Sequence, residues 1–161
     1  NVATLWEGRI TQFGPTPRVY RQPVDATTAR VFSDPPMNFL AVSKTGDRLM
    51  FGDGQSAPAL GKLAELPDGR YTAGFRPNHL EIMSHGTEAM KFTAKLQVTE
   101  LTGSETFVHL DHHGERWVGL IHGVHDLTLG ADLDVWLDAR HVYIFGEDGA
   151  LVAPAAYALA A

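Results

Sequence analysis

Cysteine is absent from the 161 residues, which excludes disulfides, thiolate metal ligation and a cysteine nucleophile, and fits a reducing compartment. No apolar run approaches the roughly 20 residues that a membrane-spanning helix requires. Positive charge is scarce: 13 Lys+Arg stand against 19 Asp+Glu, a formal net charge of −6. A duplex-binding surface usually carries a basic excess, so neither nucleic acid nor direct membrane insertion is expected. The first residue, Asn1, is not a start residue, and residues 2–8 are too short and too acidic for a signal peptide. The chain therefore reads as an excised piece of a longer protein.

What is present suits an ordered globular domain. Hydrophobic residues make up 44% and charged residues 20%, values of ordinary folded chains rather than disordered ones. The 16 glycines and 9 prolines are spread as punctuation, the habit of many short strands joined by turns. Leu5-Trp6-Glu7-Gly8-Arg9-Ile10 reads as strand, turn, strand. Thr16 before Pro17 reads as a helix N-cap with proline in the first turn, and Asp25 as the cap of a second short helix that Asp34-Pro35-Pro36 must stop. From Met37 the period becomes two. Residues 38–43 and 48–51 flank Lys44-Thr45-Gly46-Asp47 as a hairpin, and 57–66 suits a short helix. Residues 70–75, 90–101, 104–111, 116–122, 133–137 and 141–145 read as strands, and the Ala-rich stretch from Ala153 as a frayed end. The expected fold is mainly β: a small antiparallel barrel or sandwich with a short helical N-terminal lead-in. Leu96, Val98, Phe107, Val108, Leu110, Val118, Leu120 and Leu137 form its expected core.

Candidate chemistry is sparse. His112, His113, His122 and Asp126 could hold a metal in a small hydrolase only if they converge, and in a strand His122 and His125 face opposite sides. Gly54-Gln55-Ser56-Ala57-Pro58-Ala59-Leu60-Gly61-Lys62 is no phosphate loop, because six residues separate its glycines and Pro58 lacks an N–H. Ser33, Ser43, Ser56, Ser84 and Ser104 lack a Gly-x-Ser-x-Gly setting, and only Ser84 has an adjacent base, His85. Asp132 and Asp134 share one strand face and read as the polar side of an edge strand. Phe92, Phe107 and Trp117 look like core, and Lys91 and Lys95 make no basic stripe of the kind single-stranded nucleic acid needs. No catalytic, nucleotide-binding or metal site is assigned.

Five motifs in order carry a resemblance. Gly8-Arg9-Ile10-Thr11-Gln12-Phe13-Gly14 with Val19-Tyr20 and Pro23 resembles the end of the nucleotide-binding domain in ATPase subunits of ATP-binding-cassette carbohydrate importers, the maltose and sn-glycerol-3-phosphate type. Ala29-x-Val31-Phe32-Ser33-Asp34-Pro35-Pro36-Met37-Asn38-Phe39-Leu40 resembles the junction into that family's C-terminal regulatory domain. Gly74-Phe75-Arg76-Pro77-Asn78-His79-Leu80, Val98-Thr99-Glu100-Leu101-Thr102-Gly103-Ser104-Glu105-Thr106 and Arg140-His141-x-Tyr143-Ile144-Phe145 with Asp148-Gly149 are similar to elements that follow there. Asn78 replaces the family's Glu, and Thr102 its Leu.

The resemblance implies a transport-associated OB-type barrel (MOP/TOBE-type) over residues 31–161, preceded by the tail of the nucleotide-binding domain over residues 1–30. It implies a non-catalytic regulatory and dimerisation domain in an importer for a sugar, polyol or glycerol phosphate. ATP and Mg would belong to the missing N-terminal domain. The implied partners are a second ATPase subunit and membrane permease subunits, with the protein cytoplasmic and peripheral at the inner face of the cell membrane. The expected dimer or regulatory surface comprises Met37, Asn38, Phe39, Leu40, Arg76, Pro77, Glu100 and Glu105, with Arg76 pairing Glu100 or Glu105. Because related barrels hold molybdate, oxyanion binding stands as an alternative.

Overall fold

A computed structural model describes residues 1–52, 54–83 and 89–159. Ser84 and His85, and the terminal Ala160 and Ala161, lie outside them. The chain opens with an antiparallel hairpin, β1 (Val2–Trp6) and β2 (Arg9–Gly14). Its turn puts Glu7 and Gly8 at φ 48° and 76°, where glycine carries no Cβ penalty. Helix α1 (Thr16–Arg21) is capped by Pro15 rather than by Thr16. The Pro15 carbonyl already accepts from the Arg18 and Val19 amides, so Thr16 lies inside the helix. Helix α2 (Ala26–Val31) starts as its sequence suggests, with the Asp25 carboxylate accepting from the Thr28 amide at 2.6 Å.

The strands then run β3 (Asn38–Thr45), β4 (Arg48–Gly52), β5 (Gln55–Pro58), β6 (Gly69–Phe75), β7 (Leu80–Glu81), β8 (Ala89–Leu101), β9 (Glu105–His112), β10 (Glu115–His122), β11 (Asp132–Asp138), β12 (Tyr143–Phe145) and β13 (Leu151–Ala153), ending in helix α3 (Ala156–Leu159). They form two antiparallel sheets, ordered β13-β12-β6-β3-β4-β5 and β10-β9-β8-β11-β7, which face each other as a nearly closed OB-like barrel. The helix expected over 57–66 is instead β5, laddered to β4 through Leu49↔Ala57 and Met50↔Ser56, followed by a 3-10 turn at Gly61–Leu63. Pro58 is tolerated because β5 is an edge strand. The C-terminal stretch is not frayed. Ala153 pairs with Ile144, Ala155 and Ala158 are buried, and the Tyr157 hydroxyl lies 2.9 Å from that of Tyr143.

The core fills the space between the sheets. Trp117 is its centre, meeting Phe75 and Phe92 edge-on at 5.1 and 5.5 Å and stacking on His112 at 4.2 Å. Gly119 belongs to the same inner face, where a Cβ would come within 2.8 Å of Val108. Of the expected core residues, Leu96, Val108, Leu110 and Leu137 point inward, while Val98, Phe107, Val118 and Leu120 do not. Alternation forbids Phe107 and Val108 from sharing a face, and an irregularity between Leu96 and Val98 turns Val98 outward.

The two sheets meet where β3 approaches β10, and no backbone ladder joins these strands. The Asn38 side chain joins them: its Nδ2 donates to the Val118 carbonyl at 2.8 Å, and its Oδ1 accepts from the Val118 amide at 2.7 Å. Trp117 Nε1 donates to the Phe39 carbonyl at 3.2 Å beside it. A primary amide carries both N–H donors and a carbonyl acceptor, so Asn38 replaces a missing ladder pair.

Asn38→Ala leaves both Val118 backbone groups without partners and is expected to lower unfolding free energy by about 2 kcal/mol or more. Urea denaturation beside a Gln97→Ala control checks this; a loss for Asn38→Ala no larger than about 0.5 kcal/mol, the scale of an ordinary surface substitution, would mean that packing alone closes the seam.

Candidate interaction surface

Paired residues of antiparallel strands share a face, so the register of β8, β9 and β10 defines the outside of this sheet row by row. Lys95, Asp111 and Arg116 form one row, Val98, His109 and Val118 the next, Glu100, Phe107 and Leu120 the third, and Glu105 with His122 the last. An apolar strip of Val98, Val118, Phe107 and Leu120 thus runs across the outer face, with Val98 48% exposed. Acid–histidine pairs border the contiguous group of Phe107, Val118 and Leu120, and the first of them sets Val98 apart from it. Glu100 meets His109 Nε2 at 2.7 Å, and Glu105 lies 3.8 Å from His122 Nδ1. Where Leu120 and Glu105 reach the lead-in, a recess of about 330 Å³ opens between Asp34, Pro77, Asn78 and His122.

The neighbouring carboxylates are held rather than poised for acid–base work. Among the described residues β7 pairs with β11 at Trp136 and Leu137 alone, so the stretch with Asp132 and Asp134 has β8 on one side and an open edge on the other, as the edge-strand reading expects. They pair with Lys95 at 3.6 Å and Lys91 at 2.6 Å across to β8. Hydrogen bonds from Lys91 and Thr93 hold the Asp134 carboxyl below its ordinary range.

The sequence-predicted surface divides sharply. Met37, Asn38 and Leu40 are buried, since they begin the first barrel strand and seal its seam, and they offer no surface. Phe39 is half-buried, against the Phe145 ring at 5.8 Å and under the Arg30 guanidinium at 4.8 Å. Pro77, though buried, lines the recess with Glu105, and Glu100 flanks the apolar strip. Arg76 is only 1% exposed and pairs with neither Glu100 nor Glu105. Its guanidinium donates to the Phe32 carbonyl at 3.2 Å and to the Tyr20 carbonyl, and lies 3.6 Å from the centre of the Tyr20 ring. Carbonyl dipoles and aromatic faces take the place of a counter-ion there, and Arg76 clasps the helical lead-in to β6.

The metal-hydrolase alternative fails on register. His112 pairs with Glu115 at one end of the β9–β10 hairpin and His122 with Glu105 at the other, roughly 20 Å apart along the strands. Among the described residues no group of three His, Asp or Glu side chains is placed to hold a metal ion. His125 turns back, its Nε2 donating to the His122 carbonyl at 2.8 Å.

One feature had no signal in the sequence beyond histidine's ability to stack. His79 and His141 lie face to face at 4.0 Å, with the Tyr157 ring edge-on to both at 4.7 and 5.2 Å. The stack ties the turn after β6 to the turn after β11 and to α3.

Three comparisons with known proteins bear on the whole. Residues 73–145 match the TOBE domain family. The sn-glycerol-3-phosphate import ATP-binding protein UgpC of Chromobacterium violaceum is 30% identical over 150 residues, covering 91% of this chain and 40% of that protein. Its counterpart from Brucella abortus is 29% identical, over 92% of this chain and 40% of that protein. The chain thus spans about two fifths of the length of these curated relatives. Among solved structures, the cytoplasmic molybdate-binding protein ModG superposes with a TM-score of 0.52 at 16% identity, over 66% of this chain and 94% of that one. At that identity the likeness shows the fold alone. No helix among the described residues is long and apolar enough to cross a membrane.

The histidine stack makes stability depend on pH. Burial first, then the positive fields of His141 and Arg76, lowers His79 from 6.5 to about 4 against a smaller opposing pull from Asp138. Burial also lowers His141. The unfolded chain therefore binds more protons between pH 6.5 and 4, and stability falls as pH drops through that window. The expected loss is on the order of 3 kcal/mol, read from urea midpoints at pH 7, 5.5 and 4. His79→Phe, which keeps an aromatic stack without a proton site, should flatten the slope; an unchanged slope would assign the loss to other groups.

Proposed function

We propose that this chain, which carries a TOBE domain over residues 73–145, is the regulatory and dimerisation part of the ATP-binding subunit of an ABC importer for a sugar, polyol or glycerol phosphate. The observation that carries the dimerisation role is the apolar group of Phe107, Val118 and Leu120 on a barrel face, bordered by the Glu100–His109 and Glu105–His122 pairs, with Val98 beyond the first pair. An apolar centre with a charged rim is the anatomy of a modest protein–protein contact. In this reading the chain itself hydrolyses no ATP. Nucleotide and magnesium are handled by a nucleotide-binding domain, of which residues 1–30 form the tail. Leu5, Ile10 and Phe13 of the β1–β2 hairpin, exposed by 58 to 67%, are the apolar surface such a domain would cover.

The role is mechanical. A barrel fixed to each ATPase domain keeps the pair at an effective concentration of about millimolar for short linkers, so a weak contact between barrels suffices while the motor halves open and close. Permease subunits would be engaged through the full-length protein, which would sit peripherally at the cytoplasmic face of the membrane.

Sedimentation velocity of the 161-residue chain from low to high micromolar concentration tests the contact. Reversible dimerisation is expected, and Phe107→Glu, which places a charge in the centre of the strip while leaving the core intact, should weaken it at least tenfold. A wild-type chain that stays monomeric throughout, or a dimer indifferent to Phe107→Glu, would contradict this surface.

A further inference from the structure

The barrel has a second gap, opposite the one that Asn38 closes. The free edge of β5 approaches the start of β8 and the end of β11 without a ladder between them, and among the described residues a bond from the Lys91 amide to Gln55 Oε1 at 3.3 Å spans the gap. A cavity of about 410 Å³ fills it, within the range that holds small organic ligands. Its walls are held by other contacts, so the space is preformed. β5 is laddered to β4, the corner after β11 is fixed by Arg140 donating to both Asp138 oxygens, and α3 is anchored by Tyr157 on Tyr143.

Chemistry sorts the lining into a body and a head. Ala57, Leu63, Met90 and Ala139 give an apolar interior. Lys62 and Ser56 add a polar part to the same lining. Arg140 and Asp138, also lining, neutralise one another, which leaves the Lys62 ammonium as the excess charge among the described lining residues. The Ser56 hydroxyl oxygen accepts from Arg48 Nε at 3.2 Å and from Nη2. Its own O–H therefore remains to donate, polarised by a cation behind it. An apolar pocket with one ammonium and one oriented hydroxyl in its lining suits a carboxylate on a short aliphatic chain.

We propose that this gap binds small aliphatic carboxylates, the tail among the apolar side chains and the carboxylate on Lys62 and Ser56. The site is independent of the apolar strip on β8–β10 and of the importer reading. Titration of the isotope-labelled 161-residue chain with sodium octanoate, followed by heteronuclear NMR, tests it. Saturable shifts are expected at Ala57, Met90, Ala139 and Leu159. Lys62→Glu, a surface change that spares the fold, should weaken octanoate about tenfold or more. Octanol should bind more weakly than octanoate and be indifferent to that substitution, and inorganic phosphate should produce no shifts in the apolar interior. Absence of saturable shifts there, equal binding of octanol and octanoate, or unchanged octanoate affinity in Lys62→Glu would overturn the proposal.

Discussion

A side-chain amide stands where two strands fail to meet, and the barrel depends on it. Backbone groups inside a fold must find partners, and the β3–β10 approach offers Val118 none from a ladder. Asn38 supplies both at once, with donor and acceptor at 2.8 and 2.7 Å. Closure there lets Trp117 sit at the centre of the core with its indole N–H satisfied by the Phe39 carbonyl, and holds β10 in register with its outer face free.

From that closure follow the places where this fold can act. Alternation on β8, β9 and β10 puts one set of apolar residues around Trp117 and a second set outside, and the second set is the strip on which association is proposed. Arg76 leaves the barrel end to clasp the lead-in through the carbonyls of Tyr20 and Phe32, so the helices after the β1–β2 hairpin move with the barrel. Such rigidity suits the holding role proposed above. The opposite gap, with no Asn to bridge it, is left as a cavity.

Much of the architecture was legible because turn residues and period-two runs are local signals. The hairpins at Gly46, Gly103 and Gly114, the Asp25 cap and the three long strands all follow from such signals, and the motif order pointed to the family. What stayed hidden was non-local. Nothing near Asn38 in sequence indicates that its partner is Val118, 80 residues away, so a buried bridge read as surface. Arg76 read as a surface ion-pair former because its true partners, two carbonyls and a ring, carry no charge to recognise. Phe107 and Leu120 read as core by hydrophobicity, and strand alternation with Val108 and Gly119 turns them outward. Pro58 suggested a helix start, although an edge strand accommodates it equally well. Glu100 and Glu105 lie beside the surface proposed here, while Phe107 and Leu120 between them read as interior from their hydrophobicity alone.

Hydrogen exchange at the Val118 amide tests the closure most directly. If Asn38 replaces a ladder pair, this amide exchanges as slowly as those of neighbouring core strands and only through unfolding of the barrel, although its strand lies at the edge of its sheet. Exchange at the rate of an exposed edge amide, with the core strands still protected, would show that the seam opens on its own and that the barrel is not the rigid body described above.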